Sequence, residues 1–230
     1  MSDARSIDFD DYSNSYKDIL NSGIWLSGEK ADYFDFYKID CLKRWVCSPT
    51  REISILDFGC GVGKLASLMA KTYPRSTVYG YDVSSKSIEL AREKWGHLKN
   101  VLFKNRLSDA RIFDLITVAN VFHHIKREDR RETLYRLKSL IKPGGKIAVF
   151  EHNPYNPLTI QVVKTCPFDA DAELIHLNKF IKLAALCGLR VHLKRYIVFF
   201  PKFLRLFRKI EPLIGFLPLG AQYMVLFGRN

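Results

Sequence analysis

Three groups of residues have types and spacings that could carry chemistry: the run Asp57-Phe58-Gly59-Cys60-Gly61-Val62-Gly63, the carboxylate Asp82, and the pair His123-His124. Glycines are wanted where a chain turns sharply and its backbone must approach a ligand, because glycine accepts φ angles that a Cβ forbids. The run follows the apolar stretch Ile53-Ser54-Ile55-Leu56 and precedes a helical one. It therefore sits where a strand hands over to a helix, the place at which open α/β sheets bind ligands. A dinucleotide-binding turn has the spacing G-x-G-x-x-G, whose third glycine would fall at position 64. That position is Lys64, and the glycines stand at 59, 61 and 63 instead. Asp82 ends the next apolar run, where a carboxylate can accept hydrogen bonds from both hydroxyls of a ribose. A histidine with an ordinary pKa of about 6.5 can take a proton from a hydroxyl at neutral pH. Packing or helix capping is the plainer role for either ring of the pair.

These residues need a scaffold, and the hydrophobic periodicity supplies one. Strands are expected at residues 53–57, 77–82, 101–104, 113–119 and 146–150. Helices are expected at 64–73 (Leu65, Leu68 and Met69 on one face), after the cap Ser84 or Ser85 (Ile88, Leu90, Ala91), and at 132–142, stopped by Pro143-Gly144-Gly145. A helix over 177–187 and strands at 190–200 and 222–228, forming an antiparallel pair at the sheet edge, complete the chain. Alternation of this kind implies right-handed crossovers and a doubly wound α/β fold. The expected sheet is seven-stranded and mostly parallel, with an antiparallel last strand. One domain is expected: a helical N-terminal cap over 1–47, a cofactor-binding core over 48–195, and an insertion or lid over 196–221 before the last strand.

The bulk numbers narrow the class. At 230 residues with 47% apolar content the chain can form one well-cored domain, not a disordered or fibrous one. The five cysteines are odd in number and form no CxxC pair, which argues against a zinc site or a disulfide framework and suits a reducing, cytoplasmic setting. No secretory signal and no apolar run of bilayer-spanning length is visible. The net charge of +12 is uneven: residues 1–40 carry nine acids and four bases, the remainder 15 acids and 32 bases. A basic body suggests an anionic neighbour, such as a nucleic acid, a membrane surface or an acidic substrate. Solvated lysine-rich helix faces explain it equally well.

Residues 55–63, Asp82, Phe113-Asp114-Leu115-Ile116 and Leu140-Ile141-Lys142-Pro143-Gly144-Gly145 together resemble the ordered motifs of the class I (Rossmann-like) S-adenosylmethionine-dependent methyltransferases. The resemblance covers roughly residues 50–150. It is to the small-molecule, type 11/12-like branch that includes quinone and natural-product enzymes. It implies that S-adenosyl-L-methionine is the cofactor and S-adenosyl-L-homocysteine the product. It further implies that Gly59, Gly61 and Gly63 line the methionine part and that Asp82 holds the ribose, while the acid Asp57 suits the cationic methionine end. The implied cofactor set is Asp57, Gly59, Cys60, Gly61, Gly63, Asp82, Val83, Asp109 and Asn120, with Asp109 the candidate for the adenine amino group and Asn105 behind it. Similar members carry a His-His or related pair after the fourth strand, so His123 or His124 is the candidate general base. No metal ligands are expected.

Three further segments bear on the acceptor. Glu151-His152-Asn153-Pro154-Tyr155-Asn156-Pro157 follows the fifth strand and should open onto the site. Tyr12, Tyr16 and Trp25 could close over the cofactor, or could simply pack. On an α-helix over 199–210, Lys202, Arg205 and Lys209 share one side while Phe203, Leu206, Phe207 and Ile210 share another. Such a helix could be a lid, a peripheral membrane contact or a dimer contact. The run after the fourth strand lacks the Asn/Asp-Pro-Pro-aromatic pattern of amino-directed nucleic-acid enzymes, so a nucleic-acid partner is not expected. The expected reaction is methyl transfer to an O, N or C nucleophile of a small, hydrophobic or lipid-linked acceptor. The alternatives are an RNA or protein methyltransferase and a non-catalytic cofactor-binding subunit.

Overall fold

Successive residues of the first strand bury on opposite sides of the sheet, Ile55 in one apolar cluster and Leu56 in another, as a strand covered on both faces requires. The computed structural model describes residues 27–107, 111–169 and 171–229. It contains α1 (Ala31–Trp45), β1 (Ser54–Phe58), α2 (Lys64–Thr72), β2 (Thr77–Tyr81), α3 (Ser85–Trp95), β3 (Val101–Lys104) and β4 (Phe113–Ala119). These are followed by α4 (Arg130–Leu140), β5 (Ile141–His152), α5 (Pro157–Thr165), α6 (Leu177–Leu186), β6 (Leu189–Ile197), α7 (Glu211–Ile214) and β7 (Gln222–Arg229). The cluster on one face joins Leu42 of α1, Met69 of α2 and Ile88 of α3. The cluster on the other joins Leu134 and Leu137 of α4 with Phe180 of α6.

The seven strands run in the order β3-β2-β1-β4-β5-β7-β6, and β7 is antiparallel to both its neighbours. This is the doubly wound, mostly parallel sheet that the periodicity predicts. β1 pairs in parallel with β2 on one side and β4 on the other, with Phe58 opposite Val118. The chain leaves β1 toward β2 and leaves β4 toward β5. Between those two carboxyl ends lies the switch point at which such sheets bind ligands. Ser84 caps α3 by accepting from the Ser87 N–H at 3.0 Å. In the expected cap, α1 presents Tyr33, Phe34, Tyr37 and Cys41 to the core. Tyr12, Tyr16 and Trp25 lie outside the described residues.

Element ends depart from the periodicity for local reasons. α4 stops at Leu140 and β5 starts at Ile141, not residue 146. Ile141 pairs with Phe113 across a register shift, and Gly144 takes a φ of 76°. Pro143-Gly144-Gly145 therefore bends the entry of the strand instead of standing before it. β6 ends at Ile197, not residue 200, because Val198 takes a φ of 61° and turns the chain. The segment Lys202–Ile210 is a 3₁₀ helix with a break at Leu204, not the expected α-helix. The buried carboxylate of Glu211 accepts from the N–H groups of Phe199 and Phe200 at 3.1 and 3.0 Å, which draws the two ends of the segment together. With about three residues per turn, Lys202 and Arg205 align with Arg208, not with Lys209.

Candidate active site

Asp57, the penultimate residue of β1, has one carboxylate oxygen satisfied and the other not. Thr117 Oγ1 of β4 donates to its Oδ1 at 2.9 Å, whereas Oδ2 is buried and accepts no hydrogen bond. Burial pushes the Asp57 pKa up to about 7, against the pull of the Thr117 hydrogen bond, and the negative charge of Asp35 on α1 adds to the rise. Asn120, just beyond β4, holds a φ of 57°, and its Oδ1 is likewise buried without a donor. Two acceptors left in this state destabilise the protein unless something donates to them.

The glycine turn runs past these acceptors, and its three glycines have different reasons. A Cβ at Gly59 would lie 2.5 Å from Val121 Cγ2, and one at Gly63 would lie 2.6 Å from Phe103 Cε1. Both are excluded by packing. A Cβ at Gly61 would meet nothing within 4 Å. Gly61 is the position at which the backbone fronts open space. Its N–H donates to Asp82 Oδ2 at 2.8 Å, and Asp82 Oδ1 accepts from the Ser84 N–H at 3.0 Å. Asp82 therefore pins the turn to the end of β2. Cys60 is half-buried with Sγ 3.6 Å from Gly61 O, and burial together with the Asp57 and Asp82 charges holds its thiol neutral. Val83 is 76% exposed, and Asn105 donates to Ser85 Oγ at 2.9 Å. Asp109 lies outside the described residues.

The histidine pair sits where β4 and β5 end. Glu151, the penultimate residue of β5, accepts through Oε1 from the N–H groups of Val121 and Phe122 at 3.0 and 2.7 Å. Its Oε2 lies 2.6 Å from His123 Nδ1. His123 Nε2 and His124 Nε2 both lie 3.4 Å from the same oxygen of Asp169, and His124 Nδ1 is 3.6 Å from Asp171. Burial alone would lower the His123 pKa, but the carboxylates of Glu151 and Asp169 prevail and raise it to about 9. At neutral pH His123 is thus a buried imidazolium held between two carboxylates. Burial, reinforced by that positive charge, keeps His124 below the usual histidine range and takes His152 down to about 4. His123 is 1% exposed and has no free lone pair to offer, while His124 is neutral and reaches solvent. His123, His124 and Asp169 also offer atoms within 4.8 Å of one another, close enough to share a metal ion. The ion pairs use those same atoms to hold a proton, so the two occupancies exclude each other.

Comparison with known proteins gives this geometry its place. Residues 56–147, from β1 into β5, match a family model described as a methyltransferase domain. That stretch of the chain is similar to a methyltransferase domain, and the fold is the one shared by solved S-adenosylmethionine-dependent methyltransferases. A TehB-like methyltransferase from Corynebacterium glutamicum superposes with a TM-score of 0.64 over 96% of this chain and 99% of that one, at 16% identity, a likeness of fold. Malonyl-[acyl-carrier protein] O-methyltransferase 1 of Ilyobacter polytropus is 29% identical over 148 residues, which is 63% of this chain and 53% of that protein. Demethylmenaquinone methyltransferase of Thermotoga maritima is 31% identical over 109 residues, 44% of each chain. The chain spans about half the length of the curated relatives it matches.

The residues present fit the cofactor of this methyltransferase family. The orphaned acceptors Asp57 Oδ2 and Asn120 Oδ1 are what the cofactor's ammonium group can donate to, and the space at Gly61 admits a ligand against the backbone. The structure places the glycine turn after β1, Asp82 after β2 and the histidine pair after β4. Sequence reasoning misses Thr117, which fixes Asp57, and Asp169, which joins the two histidines. Asp169 stands in a single 3₁₀ turn (Pro167–Asp169) after α5, where no periodicity marks it. It also misses Lys38 of α1, which is 3% exposed and 3.7 Å from Asp35.

Proposed function

We propose that this chain methylates an oxygen, nitrogen or carbon nucleophile of a small, hydrophobic or lipid-linked acceptor, with His124 taking the proton where the nucleophile carries one. The observation that supports it best is the pair of buried, unsatisfied acceptors, Asp57 Oδ2 at the end of β1 and Asn120 Oδ1 just after the neighbouring β4. S-adenosylmethionine, when bound, supplies a methyl group already activated on a sulfonium. The chain has to hold the reactants in line, exclude water and remove a proton. Asp57 and Asn120 bind and orient the ammonium end, and Asp82, which pins the turn to the end of β2, holds the ribose. Glu151 fixes the backbone after β4 and locks His123 as a cation. That cation keeps the adjoining His124 neutral and ready to accept a proton, and Asp169 and Asp171 lie beside the imidazolium that forms. The names of two relatives point to an acceptor such as a carrier-linked malonyl carboxylate or a quinone ring.

The test uses labelled S-adenosylmethionine, with a cell extract separated into organic-soluble, protein and RNA fractions. Label in the organic fraction is expected. Label confined to RNA, or to protein in a form that neutral hydroxylamine does not release as a thioester-linked acyl group, would overturn the acceptor class, and no transfer together with normal S-adenosylhomocysteine binding would make the chain a cofactor-binding subunit.

A further inference from the structure

The connection from β6 to β7 exposes apolar side chains on a rigid frame. Among the described residues, seven of the fifteen exposed large hydrophobics fall between positions 203 and 219, among them Phe203, Leu206, Leu213, Phe216 and Leu219, each at least 63% exposed. The backbone beneath them is firmly held. Glu211, itself buried, ties the N–H groups of Phe199 and Phe200 and accepts from the Tyr37 hydroxyl of α1. Arg208 reaches Glu29 at 2.8 Å, and the Tyr196 N–H donates to Gly215 O at 2.7 Å. A soluble surface rarely shows so dense an apolar patch without a partner.

Charge says which partner. Lys202, Arg205 and Lys209 are exposed on the same segment, while its one acid, Glu211, is buried. Every exposed charge over residues 198–221 is therefore positive. Apolar side chains that project among bases on a short helix match the boundary between acyl chains and anionic headgroups. Among the described residues no helix is long and apolar enough to cross a membrane, so the contact is with one face of the bilayer.

Position gives the contact a purpose. Ile197 and His152 both pair with Gln222, so the connection emerges at the carboxyl end of β5, next to Glu151 and the histidines. Asn153, directly after β5, donates through Nδ2 to Pro218 O and Gly220 O at 3.0 and 2.7 Å, and Asn156 donates to Leu219 O at 2.7 Å. The apolar patch and the wall of the candidate site are thus one hydrogen-bonded unit.

We infer that residues 202–219 seat the protein on an anionic phospholipid surface, with the mouth of the candidate site turned toward the membrane, so that the acceptor is reached without leaving the bilayer. The last clause rests on the proposed function; the membrane seat does not. The test is co-sedimentation with sucrose-loaded vesicles, either pure phosphatidylcholine or an equal mixture with phosphatidylglycerol. The wild type should bind the mixed vesicles and be released by high salt. The variant Lys202→Gln/Arg205→Gln/Lys209→Gln should bind them about 100-fold more weakly, at about fivefold per charge. Phe203→Ser/Leu206→Ser/Phe216→Ser should lose binding to both, with circular dichroism and S-adenosylhomocysteine affinity unchanged. A wild type that ignores the mixed vesicles, or serine substitutions that leave binding intact, would overturn the inference. So would light scattering that shows a dimer dissolved by the serine substitutions, because a second copy would then cover the patch. Loss of S-adenosylhomocysteine binding alone would strike the proposed function and leave the membrane seat standing.

Discussion

Replacing Asp57 with asparagine should stabilise the protein and weaken its cofactor binding at the same time. The carboxyl is buried, and its pKa is raised to about 7, from the roughly 3.9 of an unfolded chain. A raised acid binds more protons folded than unfolded, so its contribution to stability falls as pH rises from about 4 through about 7. At about 1.4 kcal/mol per unit, three units correspond to about 4 kcal/mol of destabilisation at pH 8. Asparagine removes that penalty and can keep the acceptor toward Thr117, but it leaves a buried amide N–H without a partner, at about 1–3 kcal/mol. The balance is a gain of about 1–3 kcal/mol, or about 2–10 °C in melting temperature at pH 8 for a chain of this size. Near pH 4 the folded carboxyl is neutral and the unfolded one about half ionised, so little of the penalty remains and the unpartnered amide should leave the variant slightly less stable than the wild type. Binding moves the other way, since loss of a charge-assisted contact to the ammonium, worth about 1.5–3 kcal/mol, weakens S-adenosylhomocysteine about 10- to 150-fold. Thermal scans from pH 4 to 8 with titration calorimetry at pH 8 measure both signs. A variant that melts lower at pH 8, or binds with unchanged affinity, would refute the assignment of the orphaned oxygen to the ligand.

The glycines of the turn should separate by cause. Gly61→Val abolishes S-adenosylhomocysteine binding with native circular dichroism, its loss in melting temperature coming from the φ of 50° alone, while Gly63→Ala lowers the melting temperature through its clash with Phe103. His124→Gln should lower kcat by about 10²- to 10⁴-fold with S-adenosylhomocysteine affinity unchanged, and equal losses in binding would make it a structural residue. The His123 pKa is raised, so its stabilisation is complete below about 6.5 and is lost as pH climbs through about 9. The melting temperature should fall across that window, and Glu151→Gln should flatten the fall; a fall of undiminished size in the variant would refute the ion pair. Chelation should leave turnover unchanged and excess zinc should inhibit it by displacing the proton shared by His123 and Asp169; turnover lost in chelator and restored by zinc would place a metal there.

Local chemistry makes much of this protein legible in its residues. The alternation of β-rich runs with amphipathic segments determines the sheet, because each run has to bury both faces. The glycine spacing at 59, 61 and 63, with Asp82 one strand later, places the ligand turn. The type of side chain at 123 and 124 shows that proton chemistry is available. What each histidine does was decided in three dimensions. Identical neighbours in sequence became a locked cation and a neutral ring because Glu151 and Asp169, 28 and 46 residues after His123, converge on one ring and only Asp169 is shared with the other. The unsatisfied oxygen of Asp57 is equally invisible in one dimension, since it depends on Thr117 of a strand 60 residues away satisfying the first oxygen alone. The segment at 202–210 shows the limit most plainly. Its amphipathic pattern is written in the chain, but Glu211 pulls it into a 3₁₀ coil that turns its apolar residues outward. Periodicity tells which residues can share a face, and only long-range hydrogen bonds determine whether that face meets the core or the solvent.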